Sequence, residues 1–490
     1  MNRFYSPLVL TGLLMAIGSC YKDKGNYDYR EINEVRIKSL PDCIKYSGTD
    51  SLNLNPELIY TKNPDGDYSY EWIAVRLDAP LGFENKPVFI GKEKNLRYRI
   101  DLNTGIYSVC LSVRDETTGL IWKTRFKLNV VSGVYKGWMI LCDDNGKIRL
   151  DMVEESSAEP RISKDILSRT LFPNKAMPRK IQFLTHGPGA DDPEIFLLTG
   201  EGCSRLLAED ISWEEANDFP YIMANQALQN CKPECFAASN NGSVMIADGD
   251  LFWRKRQGSA LFGDPINYVD GNKVKLAPYI GQKWELLSLF AGTNNYVVFD
   301  VENRQFLKYH NNANACSRID DFPMGYDLIY MQNTNYHGGL TYAVLRKNEK
   351  YFLFSFYANE LLKDNFREIE IPEFDTVSKM AFDPLYPYMF YVHGSFFNLY
   401  SWEEEPGRQI KTIAELGRDS VTLLKYNLTN NGLSYSAFTY PDRYLVLGTL
   451  NQSGEGRLSF YEPLPNMAGV RFLKAYGPFP KIADATYRER

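Results

Sequence analysis

The chain has 490 residues, a formal net charge of -6 and an aromatic content of 14%, including 33 Tyr and 28 Phe. Its length suits about two to four domains. An acidic balance without any run of five like charges excludes the basic stripe that a nucleic-acid partner needs. The aromatic load favours β architecture, and no apolar run beyond residue 19 is long enough for a membrane-spanning helix.

In chain order, Arg3 and the amino terminus give a short positive start. PLVLTGLLMAIG (7–18) then has the length of a signal-peptide core rather than of a membrane span. Ile17-Gly18-Ser19-Cys20 follows, an aliphatic residue, two small ones and a cysteine. This is the pattern of a bacterial lipobox, in which small residues let the peptidase reach the backbone. Residues 1–19 are expected to be a signal peptide and residues 20–33 a lipidated Cys20 with a polar tether. The Cys20 thiol would carry diacylglycerol and its freed amine a further acyl chain such as palmitate. Several chains anchor a protein far more firmly than one.

Residues 34–133 predict a β-sandwich. Its strand-like runs are 34–40, 51–60, 68–75, 95–100, 105–115 and 121–131, separated by turn signals such as Asn63-Pro64-Asp65-Gly66 and Thr117-Thr118-Gly119. In GIYSVCLSVRD (105–115), Tyr107, Val109, Leu111 and Val113 share the core-facing parity. Cys110 falls on the other parity, which makes it a poor partner for an intersheet disulfide with Cys43.

Gly105, Tyr107, Val109, Leu111, Val113 and Asp115 together resemble the penultimate strand of a PKD domain. CYKDKGNYDYREINEV (20–35), YSYEW (68–72) and GWMILCDDNGKIRLDMV (137–153) resemble the PKD-like lipoproteins of Bacteroidetes. Glu71-Trp72-Ile73-Ala74 stands where many PKD domains have W-x-F-G-D-G, so the expected domain is PKD-like rather than typical.

From Gly137 the pattern becomes a repeat of apolar strand, tight polar turn and aromatic-rich strand. Units start near 138, 180, 235, 285, 327, 380 and 422. Such spacing suits one four-stranded blade per repeat. The expected fold class is all-β: a PKD- or immunoglobulin-like sandwich, then a β-propeller over 137–490 with seven blades, six or eight being the alternatives. Stacking blades in a ring covers faces and edges that a lone blade exposes. Residues 469–480 are expected to complete the first or the last blade.

Motifs for chemistry are sparse. There is no G-x-S-x-G elbow, no phosphate-binding glycine loop and no sialidase-type box. His186, His310, His337 and His393 are scattered, and the Cys231–Cys235 pair has no second pair, so neither a metal site nor a cofactor is expected. A local disulfide between Cys231 and Cys235 stays open. The acidic pairs Asp143-Asp144, Asp191-Asp192, Asp248-Gly249-Asp250 and Asp320-Asp321 sit in predicted turns and read as solvated hairpin tips. Trp72, Trp122, Trp138, Trp253 and Trp402 fall in strands and read as packing residues. Trp213 and Trp284 lie nearer loops and are the candidate ligand contacts.

The residues thus lead to a lipid-anchored, all-β protein of the outer membrane, exposed on the cell surface and without catalytic residues. The family resemblance implies an accessory lipoprotein beside a TonB-dependent transporter, capturing a glycan or peptide nutrient. A propeller hydrolase or lyase acting on polysaccharide, and a protein-binding scaffold or adhesin, are the alternatives.

Overall fold

In the computed structural model the chain divides into two compact units, Met1–Val131 and Ser132–Arg490. The structure describes residues 33–488 except 48–49, 79–85, 132–136, 156–159, 174, 185–192, 209–210, 240, 256–260, 284–294, 312, 335, 403–408 and 428–443.

The first unit is a β-sandwich. Five strands form one sheet in the order Cys43–Tyr46, Ile121–Val131, Gly105–Asp115, Tyr68–Arg76 and Val88–Gly91. Two ladders, Val35–Ile37 with Leu58–Tyr60 and Ser51–Leu54 with Leu96–Arg99, face it. Their Val35, Leu52 and Leu96 share one core with Trp72, Val109, Leu111, Val113, Phe126 and Leu128. The alternation in 105–115 places Tyr107, Val109, Leu111 and Val113 inward, as expected.

Three details differ from the sequence reading. The run 51–60 is two strands, because Pro56 lacks the N–H a continuous ladder would need. Cys43–Tyr46 and Val88–Gly91 are strands that no pattern announced. Cys110 points away from the main core yet is buried, since it lies on the middle strand between Ile73 and Arg125 of its neighbours. Cys43, by contrast, packs against the core, and both thiols are free.

The second unit is a β-propeller. Among the described residues it contains seven antiparallel sheets of three or four strands and one short ladder, Tyr268–Val269 with Asn272–Lys273. The first sheet runs Arg161–Ser163, Lys147–Glu154, Gly137–Asp144, Lys481–Arg488. The other six begin, in chain order, with Pro178–Leu184, Pro233–Ser239, Asn295–Asp300, Asp327–Asn333, Val377–Phe382 and Ser420–Tyr426. The repeat expected at 285 begins within residues that are not described, and its sheet is described from Asn295.

Hydrophobic clusters link these sheets in a cycle. Leu141 and Leu197 belong to the cluster between the first and second sheets. Phe196 stacks on Phe236 at 4.2 Å between the second and third. Ile246 meets Val298 in the next cluster, and Phe306 lies 5.4 Å from Phe354 in the one after. Tyr342 stacks on Phe382 at 4.8 Å, and Phe397 and Tyr461 share the cluster of the sixth and seventh sheets. Trp138 then packs on Phe460 at 4.8 Å, joining the seventh sheet to the first. Alternate residues of Gly137–Asp144 serve different neighbours: Met139 and Leu141 face the second sheet, Trp138, Ile140 and Cys142 the seventh. A strand covered on both faces reads as continuously apolar, which is why WMILC carries no polar alternation.

The C-terminus resolves the open choice about the last blade. Residues Gly469–Phe479 form the outer strand of the seventh sheet, with Gly456–Leu464 as neighbour. The next strand, Lys481–Arg488, joins the first sheet beside Gly137–Asp144. Both end sheets are therefore finished by the last 22 residues of the chain.

Side chains also bridge neighbouring sheets. The Gln182 amide donates to the Phe236 carbonyl at 3.2 Å and accepts from its N–H at 3.0 Å. Gln332 makes the same pair of bonds with Phe382, at 2.8 and 2.9 Å. The Asp484 carboxylate accepts from Ile181 N at 3.1 Å and from Lys425 Nζ at 2.8 Å, tying the first sheet to its neighbours on both sides. The bonds to Phe236, Phe382 and Ile181 satisfy backbone groups of first strands that a sheet ladder cannot reach on that side.

Candidate functional site

A cleft of about 510 Å³ lies between the first and seventh sheets, lined by Asp143, Asp144, Asn145, Gly146, Arg149, Lys164, Leu450, Gly454, Glu455, Pro478, Phe479, Pro480 and Lys481. Two tight turns build its rim. Asn145 and Gly146 take positive φ, 55° and 84°, which lets Asp144 and Lys147 close a hairpin. The Asp143 carboxylate accepts from Gly146 N at 2.8 Å and fixes that turn. On the seventh sheet, Asn451 accepts from Glu455 N at 2.8 Å and donates to its carboxylate at 3.0 Å.

Charge is unevenly committed here. Arg149 is held by buried Asp151 through two 2.8 Å bonds, and Asp144 lies 3.4 Å away. The Asp151 hydrogen bonds are the main reason the Arg149 guanidinium is raised above its ordinary range. Asp151 also accepts from Asp165 N at 2.7 Å, so this group is structural. Lys164, Lys481, Asp143 and Glu455 form no ion pair among the described residues.

The sequence candidates are not brought together. Cys20 and Trp284 lie outside the described residues. Trp213 is half-buried, packs against the cluster of the first and second sheets and sets its ring edge-on to Phe172 at 6.1 Å. Its indole nitrogen is enclosed and has no hydrogen-bond partner among the described residues. Trp72 and Trp138 are fully buried, and Trp253 packs beside Tyr296 and Tyr309. Asp143-Asp144 alone of the acidic pairs lines the cleft. Asp248 caps Lys232 N from a turn, Asp250 pairs with Lys273 at 2.7 Å, and Asp191-Asp192 lie outside the described residues.

Cys231 and Cys235 are both free and belong to different clusters, on the second-sheet and fourth-sheet sides of the third sheet. Facing apart, they cannot bridge without backbone movement. Burial pushes both thiols up to about 12, away from reactive thiolates. Among the described residues no three His, Cys, Asp or Glu gather where a metal could be held.

Among the buried polar pairs that sequence reasoning missed, one carries a perturbed carboxyl. Asp383, after the first strand of the sixth sheet, accepts from Leu385 N and Tyr386 N at 2.7 and 2.8 Å and from the Tyr426 hydroxyl of the seventh sheet. Desolvation raises its carboxyl to about 6 despite those donors. A folded-state value above the unfolded one means the folded protein binds the proton more tightly. The contribution of Asp383 should therefore improve as pH falls from about 7 towards 4. The shift corresponds to a change of the order of 3 kcal/mol. Urea unfolding of the wild type and Asp383→Asn across that range measures it. The difference should move in favour of the wild type on acidification; a pH-independent difference contradicts the assignment.

Together the two units define an all-β protein: a PKD-like sandwich followed by a β-propeller. Residues 20–171 match the model of the PKD-like family. No curated protein sequence matches. Among solved structures, the chain is similar to a quinonprotein alcohol dehydrogenase-like protein of Bacteroides thetaiotaomicron (12% identity, TM-score 0.44, 91% of this chain and 94% of that one). It is also similar to a Lactobacillus plantarum protein (10% identity, TM-score 0.46, 72% and 100%) and to a DUF4784 family protein of Bacteroides caccae (10%, 0.28, 92% and 98%). These likenesses transfer no activity to this chain.

Proposed function

We propose that the protein is a lipid-anchored surface protein that binds nutrient, a glycan or a peptide, beside a TonB-dependent transporter of the outer membrane. The observation that carries this reading is the family match, which begins at residue 20, the cysteine of the lipobox pattern. The propeller, read as seven blades, supplies a rigid platform whose polar cleft holds a ligand.

Cys20→Ala should abolish incorporation of a labelled fatty acid and move the protein from the membrane to the soluble fraction. Retention in washed membranes contradicts the anchor. Detergent extracts should yield the protein together with a TonB-dependent transporter; extracts in which it runs alone contradict the partner. Turnover of a polysaccharide by the purified protein would replace the binding reading with the hydrolase or lyase one.

A further inference from the structure

Resting on that binding reading, we infer that the cleft between the first and seventh sheets recognises a small zwitterion, in the form of a short peptide with free amino and carboxyl ends. Its volume of about 510 Å³ lies within the range of small-ligand sites. The lining carries four charges without ion-pair partners among the described residues, two of each sign: Lys164 and Lys481, Asp143 and Glu455. Arg149 is excluded from this set because Asp151 engages it through two bonds.

The balance selects the ligand. A polyanion would meet Asp143 and Glu455, and a polycation would meet Lys164 and Lys481, so like-charge repulsion rejects both. A neutral sugar gains most from stacking its apolar face on an aromatic ring, and the aromatic ring in the lining, Phe479, is 3% exposed and offers no such face. A free peptide carries one charge of each sign and answers both halves of the set. The turns that carry Asp143 and Glu455 are closed by their own hydrogen bonds, so less ordering remains to be done on binding.

Calorimetric titration of the purified full chain in detergent with tri-alanine tests this. Saturable binding is expected. N-acetyl-tri-alanine amide, with both ends capped, should bind about tenfold more weakly, because each end loses an exposed charge contact. Lys481→Met and Asp143→Asn should each weaken tri-alanine about two- to fivefold, and both should fold, since Lys481 is exposed and Asn still accepts from Gly146 N. Lys350→Met, on the fifth sheet, should change nothing. Absence of saturable binding overturns the inference. So does equal binding of the capped peptide, or indifference to both cleft substitutions. Binding of maltotriose that ignores Lys481→Met would leave the binding reading standing and remove the zwitterion site. Hydrolysis of tri-alanine would remove the binding reading itself.

Discussion

A chain ending at Pro480 should lose the cooperative unfolding transition of the propeller. The missing strand, Lys481–Arg488, pairs along Gly137–Asp144 and buries Ile482, Ala485 and Tyr487 against the seventh sheet. Full burial of large apolar side chains contributes about 1.5–3 kcal/mol each. Asp484 would leave with its bonds to Ile181 and Lys425, Arg488 with its bond to the Ala208 carbonyl, and the Gly137–Asp144 edge would stand unpaired. Domain stabilities are about 5–15 kcal/mol in all, so these losses together remove most or all of the margin. Calorimetry should show no sharp transition for the truncated propeller, and protease should cut it rapidly. A truncated chain that melts within a few degrees of the full one would mean the first sheet does not depend on its last strand.

Glu194→Ala is the point substitution with the largest expected cost. Glu194 is 3% exposed in the second sheet and ion-pairs with Arg254 of the third, whose guanidinium also lies 4.7 Å over the Phe262 ring. Arg205 adds a second contact at 3.0 Å, but it is better hydrated and can turn to water. Arg254 is 6% exposed and cannot. Removing one partner of a buried pair costs about 3–5 kcal/mol, because it strands the other charge. Chemical denaturation should show a lower midpoint with little change in slope. The double change Glu194→Met with Arg254→Met should recover most of the loss, since an apolar pair of similar volume avoids desolvation altogether. A single substitution costing less than about 1 kcal/mol would place this pair with exposed ones.

Local pattern made much of the fold legible. Strands 105–115 and 121–131 stand at their predicted bounds, because residues of the main core recur at every second position, Tyr107 to Val113 and Phe126 to Val130. The repeat spacing located first strands at 327, 380 and 422 to within three residues. KIADATYR (481–488) escaped because Asp484 and Thr486 interrupt its apolar residues. Their bonds, to Ile181, Lys425 and the Asn427 side chain, exist only in the closed ring. The cleft escaped for a related reason. Asp143, Lys164, Glu455 and Lys481 are separate in sequence, and no spacing rule links two turns that meet through the seam. Trp213 looked accessible because its neighbours are polar, yet Phe172 from a distant loop covers its edge.

Pairing of Trp138 with Tyr487 joins residues about 350 positions apart. Contacts so remote in sequence form late, since the intervening loop must first be ordered. A nascent chain on the ribosome holds its first sheet unfinished until Lys481–Arg488 emerges. Premature termination anywhere upstream then yields a product with an open edge that quality-control proteases can seize. The order of synthesis itself becomes a check that translation has passed Arg488.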